Sequence, residues 1–145
     1  MKKWKPIFLE NSKLPYILSC ILQIDIWIMS FGWFVWCSGT MSDVMRRHES
    51  IHFHQRLELA FAGKWILYSL SFLHGLWKYK DHSVACRENI FEREAFSCDH
   101  IEDYLEKRPR YAWVKHWRDN KDDYKERIRR ARRDRIARSS ENSRV

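Results

Sequence analysis

Little in this sequence favours turns. Four glycines and three prolines among 145 residues are too few for a turn-rich β fold and argue for long helices. Disorder is excluded too, because 45% of the residues are hydrophobic and 15% aromatic, with eight tryptophans, and such a chain can bury a core. Cys20, Cys37, Cys86 and Cys98 form no CxxC pair, which argues against a zinc held by cysteines. They lie in apolar stretches and are expected to be reduced, buried thiols of a cytoplasm-like compartment. The opening MKKWKPIFLENSK lacks an uninterrupted apolar core ending in a small-residue cleavage site, so no signal peptide is expected.

Charge is distributed unevenly. From Lys125 onward stand nine basic and three acidic residues, so six of the eight net positive charges sit in the last stretch. Residues 1–120 therefore read as one nearly neutral domain. Residues 121–145 read as a basic tail, helical or disordered. Its arginines, Arg129, Arg130, Arg132 and Arg133 among them, suit a nucleic acid or another polyanion. They suit equally a solvated helix or an anchor on an acidic surface.

Residues 14–37 form the longest apolar run, long enough to be a membrane segment. Gln23 and Asp25 interrupt it, and a charge in lipid is costly. Leu22, Ile24, Ile26 and Ile28 alternate with them in the period of a half-buried strand. Gly32 then permits a bend and 33–37 a second strand, so a β-hairpin is the favoured reading over a membrane helix. Ser42 or Asp43 can cap a helix that reaches about Ala62 and Gly63. A strongly apolar helix follows at 64–79, either in the core or lying on a membrane surface. A third is expected over 84–106, and a short aromatic one over 111–119 after Pro109. The fold class is α+β and mostly helical, with a hairpin ahead of a central helix and two to three further helices.

The central helix carries the chemistry. Positions 48–52 read His-Glu-Ser-Ile-His. On a helix, residues four apart share a face, so His48 and His52 can aim imidazoles at one ion. Glu49 is turned aside and can take a proton from a water at the metal. The plain alternative is an exposed polar face. A third ligand is needed, and the candidates lie in ENIFEREAFSCD at 88–99. Glu94 projects along a stripe with Phe91, Ala95, Cys98, Ile101 and Leu105, so it must be bound to metal or paired with Arg87 or another arginine. Gln55 can hydrogen-bond within the site or lie in solvent. His54 is expected at the surface, and His74 is expected in the core rather than at a metal. Trp113 and Trp117 are expected to cover the core.

HESIHFHQ followed by EREAF on a later helix resembles the gluzincin metallopeptidases, and most closely small HExxH proteins of bacteria and their phages. The resemblance covers roughly 24–113, with only the two motif blocks specific. It implies zinc bound by His48, His52 and Glu92, with Glu49 as general base and Ala95 at the small position. Phe96 stands where the larger peptidases have an aspartate that orients a ligand histidine. The resemblance also implies an edge strand, at 24–29, able to pair with an extended substrate. The expected activity is peptide-bond hydrolysis on a peptide or protein substrate, in the cytoplasm of a cell or phage host, or in a virion. The alternative is a non-catalytic structural or interaction protein that binds through its basic tail. Peripheral membrane contact through 65–77 is a third possibility.

Overall fold

The structure, a computed structural model, describes residues 4–22 and 26–117, with the single positions 126, 129 and 133. It is a mostly helical α+β fold with one small sheet. Strand β1 (Ile7–Leu9) leads into α1 (Lys13–Leu22), β2 (Ile28–Phe31) and β3 (Phe34–Cys37). Strand β3 lies in the middle, parallel to β1 and antiparallel to β2. Phe31 pairs with Phe34 across a two-residue turn. Gly32 takes φ 57° there, which only glycine adopts without penalty.

The expected hairpin is present, but its first strand begins later than the alternation implied. Residues 13–22 are helical instead, with Pro15 in the first turn, where a missing N–H costs nothing. Ser19 ties the helix to the strand beyond: its hydroxyl donates to the Ile26 carbonyl (3.1 Å) and accepts from the Ile26 N–H (2.7 Å). Positions 23–25 lie outside the described residues. Among the described residues, no helix is long and apolar enough to cross a membrane.

Helix α2 (Asp43–Glu58) follows, its first turn capped by the Ser42 hydroxyl, which accepts from Met45 N–H at 3.3 Å. It stops short of Ala62. Ala60 turns left-handed (φ 49°), and the Phe61 N–H reaches back to the Arg56 carbonyl at 2.8 Å, the bond pattern that closes helices at a residue usually glycine. Phe61 (φ 59°, ψ −61°) then closes a tight γ-turn, with the Ala62 N–H bonded to the Ala60 carbonyl. The turn leads into α3 (Ala62–Tyr79), which touches α2.

The long helix expected over 84–106 is three short ones: α4 (His82–Arg87), α5 (Ile90–Cys98) and α6 (Tyr104–Lys107). Asn89 divides the first two. Its side chain accepts from Phe91 N–H (3.2 Å) and donates to the Tyr68 carbonyl (2.9 Å), which favours a new helix start over a continued one. A 3-10 turn at Ala112–His116 replaces the expected last helix.

Three small apolar clusters hold these parts together. Val35 and Cys37 of β3 pack with Met41; Ile51, Ala95 and Cys98 join α2 to α5; and Ile90, Phe91 and Trp113 join α5 to the 3-10 turn. Gly75 of α3 meets α4 so closely that an added Cβ would lie 3.3 Å from Ala85. Trp113 covers the core as expected, whereas Trp117 is exposed. His74 is also exposed, beside Trp77, and not in the core. All four cysteines are free: Cys37 and Cys98 are buried, Cys86 partly so, and Cys20 is exposed. The outer face of α3 presents Trp65, Ile66, Leu70, Leu73 and Trp77 to solvent.

Candidate metal centre

The buried face of α2 is unusually polar. Beside Ile51 and Phe53 it buries His52, Gln55 and Arg56, and each buried polar group costs free energy unless it is satisfied. Where those groups go defines the site.

Helix α5 packs across α2 and places Glu92 between the two histidines. Its carboxylate oxygens lie 3.4 Å from His48 Nε2 and 3.2 Å from His52 Nε2. Ligand atoms at about 2.0–2.1 Å from a tetrahedral zinc are about 3.3 Å apart, close to the two distances that Glu92 makes to the histidines. Among the described residues, His48, His52 and Glu92 are the group of three that could hold a metal.

The far side of each imidazole is held as well. His48 Nδ1 faces Asp99 Oδ2 at 3.2 Å, and His52 Nδ1 faces Gln55 Oε1 at 2.8 Å. The Gln55 orientation is fixed by its nitrogen, which donates to the Phe91 carbonyl (3.1 Å) and to Glu94 Oε2 (2.9 Å). Its oxygen must therefore accept, and His52 must carry its proton on Nδ1. The carboxylate of Asp99 imposes the same tautomer on a neutral His48. In their neutral forms both imidazoles then turn the Nε2 lone pair toward Glu92, the side on which an ion would bind.

Charges within the triad are strongly coupled. Burial works to lower the His48 pKa, but Glu92, Glu49 and Asp99 outweigh it and raise the value above 6.5. Burial works to raise the Glu92 pKa, yet the charge and hydrogen bonds of His52 and His48 hold its carboxyl well below the ordinary carboxylate range. Glu92 is therefore an anion throughout the neutral range, as a ligand must be.

Glu94 proves to be the paired member of the two candidates. It is fully buried and accepts from Arg108 Nε (2.6 Å) and Nη2 (3.2 Å), from Tyr104 (2.9 Å) and from Gln55. Arg108 also binds Glu58 at 2.5 Å. The partner is thus the distant Arg108, not Arg87. Arg87 instead lies over the Phe96 ring at 4.4 Å. Phe96 packs edge-on against His48, their centroids 4.7 Å apart, while Asp99 does what an aspartate at 96 would have done. Gln55 belongs to the site, and His54 is only half-exposed.

A cavity of about 290 Å³ opens beside the triad. Glu49 lines it, as do Arg56, Lys64 and Tyr68, with Ser30 and Trp65 completing the wall. Burial, then the nearby Glu92 charge, raises the Tyr68 pKa, so its phenol stays a hydrogen-bond donor. Arg56, Lys64 and Tyr68 belong to no motif of the sequence, and Asp99 stands at the end of the 88–99 block with nothing to mark it as a partner of His48. Arg56 alone carried a signal, being four residues beyond His52 on the same face. A larger cavity of about 330 Å³ lies between α3 and α5, lined by residues such as Leu67, His74 and Arg93, and contains none of the triad.

The tail arginines are only partly in view. Arg129 and Arg133 are helical and exposed, whereas Arg130 and Arg132 lie outside the described residues. No family model matches the chain, and no curated protein or solved structure matches it either.

Proposed function

We propose that this chain is a small gluzincin-type metallopeptidase that hydrolyses peptide bonds. The observation that carries the reading is the convergence of both histidine Nε2 atoms on Glu92 while Asp99 and Gln55 hold both Nδ1 atoms. Bound zinc supplies Lewis acidity, acidifying water and polarising a carbonyl. Glu49 is placed on the cavity wall beside His48 to accept the proton of the attacking water and return it to the departing amine. Tyr68 supplies a neutral donor from the opposite helix for the oxyanion that develops. Strand β2 lies at the edge of the sheet and contributes Ser30 to the cavity, which supports pairing with an extended peptide.

Elemental analysis tests the metal: about one zinc per chain is expected, removable by chelation. Fluorogenic peptide libraries test the chemistry. Hydrolysis should require zinc and vanish in Glu49→Gln with the metal retained. A chain that binds no zinc after purification and reloading overturns the reading.

The outer face of α3 favours a second property, contact with an anionic lipid surface. Trp65 and Trp77 bracket Ile66, Leu70 and Leu73, with exposed Lys78 and Lys80 at one end, the composition of a helix lying in a headgroup layer. Flotation with phosphatidylserine vesicles should carry the protein, and Ile66→Glu with Leu73→Glu should release it. Self-association without flotation would assign the face to a second copy of the chain.

A further inference from the structure

Helix α2 continues beyond its two histidines with Arg56 on the same face. Arg56 is 2% exposed. Its Nη1 donates to the Ser30 carbonyl (3.1 Å) and hydroxyl (2.7 Å), but Nε and Nη2 have no partner among the described residues. Those two groups form one edge of the guanidinium, the edge that grips a carboxylate through two parallel hydrogen bonds. Lys64, in the first turn of α3, is 8% exposed and lines the same cavity. Its ammonium lies 5.6 Å from the Phe91 ring centre, and burial with the nearby Arg56 charge outweighs the pull of Glu92, Glu49 and Glu94, lowering its pKa to about 8.

Buried cations without anionic partners are costly, and this protein pairs one elsewhere: Arg108 is held by both Glu58 and Glu94. A structural explanation would have Arg56 and Lys64 merely balancing Glu49 and Glu92. Yet Glu92 is engaged by the two histidines, and a divalent ion on the triad would leave the cavity with an excess of positive charge. The open edge of Arg56 is thus suited to an incoming anion.

We propose that Arg56 and Lys64 form a carboxylate-binding subsite, so that the substrates are short peptides presenting a carboxylate one or two residues beyond the bond cleaved. The register follows from the helix. Four residues at about 1.5 Å each place the Arg56 backbone about 6 Å beyond His52, and an extended peptide advances about 3.3–3.6 Å per residue. The carboxylate can be the peptide's own terminus or an acidic side chain. The inference rests on the peptidase reading, deepening it from a reaction to a substrate class.

The test measures binding by calorimetry to the zinc-loaded full chain, with Glu49→Gln present to prevent turnover and zinc content measured in every sample. Acetyl-Phe-Phe with a free carboxylate, its terminal amide, and acetyl-Phe-Glu-amide are the probes. The free acid should bind at least tenfold more tightly than the amide, the gap closing in Arg56→Gln and narrowing in Lys64→Met. Tight binding of the Glu-containing amide marks a side chain as an accepted source of the anion, and weak binding confines recognition to the terminus. Should Arg56→Gln fail to fold, the acid–amide comparison and Lys64→Met decide. Equal affinity for acid and amide, or no binding of either, with one zinc per chain overturns the subsite and leaves the metal site standing. Absence of zinc overturns both.

Discussion

Glu92 and Glu94 lie on one short helix, and exchanging each for glutamine should produce opposite failures. Glu94 is fully buried and accepts from Arg108, Tyr104 and Gln55. A glutamine there keeps the shape but turns an amide N–H₂ toward donors and removes one of the two carboxylates around Arg108. Breaking a buried ion pair costs about 3–5 kcal/mol, and with Glu58 retained the lower end applies, about 3 kcal/mol. For a domain of this size that lowers Tm by about 10 °C. Zinc should nevertheless stay bound, since Gln55 keeps the Phe91 carbonyl to orient it. Glu92 has the two histidines as its ion-paired partners, so Glu92→Gln should abolish stoichiometric zinc while the metal-free chain melts closer to wild type. Thermal melts followed by circular dichroism, with and without chelator, and elemental analysis of the same samples separate the two. Retention of one zinc per chain in Glu92→Gln, or its loss in Glu94→Gln, would refute the ligand assignment.

Gln55→Leu removes the acceptor on His52 Nδ1 and should weaken zinc about 10–100-fold, read by competition with a chromophoric chelator. Because a protonated imidazole cannot ligate, zinc affinity should fall as pH drops through the raised His48 pKa, with a midpoint above 6.5; titrations in matched buffers locate it. Removing residues 125–145 should leave the melt unchanged and sharply reduce heparin retention, with salt dependence lowered by roughly 0.9 per lost arginine contact. Ala60→Gly should stabilise the fold by about 1 kcal/mol in urea titration, since Ala60 holds φ 49°.

Much of the site was legible because its spacing is local. His48, Glu49 and His52 lie within five consecutive positions, and helical periodicity alone says that the histidines converge. The apolar stripe through Glu94 correctly demanded a partner, but nothing in the sequence singles out Arg108, which lies beyond α6 and meets Glu94 only in the folded chain. Asp99 was hidden for the same reason: it meets His48 only because α5 lies across α2. In the fold, capping chemistry overrode periodicity. The apolar run from residue 14 spoke for a hairpin, yet its first part is helical, the Ser12 hydroxyl accepting from the Leu14 N–H (3.3 Å) just ahead of Pro15. Likewise Asn89 broke a helix whose apolar pattern runs through it. Strand β1 is only three residues long, and its pairing with β3 is non-local, so no short-range pattern reported it.

On the proposed peptidase reading, the joint after α2 sets durability against use. Phe61 is held at φ 59° and ψ −61°, a conformation that costs a bulky residue about 1–3 kcal/mol, and three residues later Lys64 enters the cavity. Glycine at 61 would release that strain and also the fixed entry angle of α3. Selection for heat resistance alone would therefore favour loosening the joint, whereas selection for turnover would keep it tight. Two laboratory lineages evolved under those separate pressures should part company first at this turn.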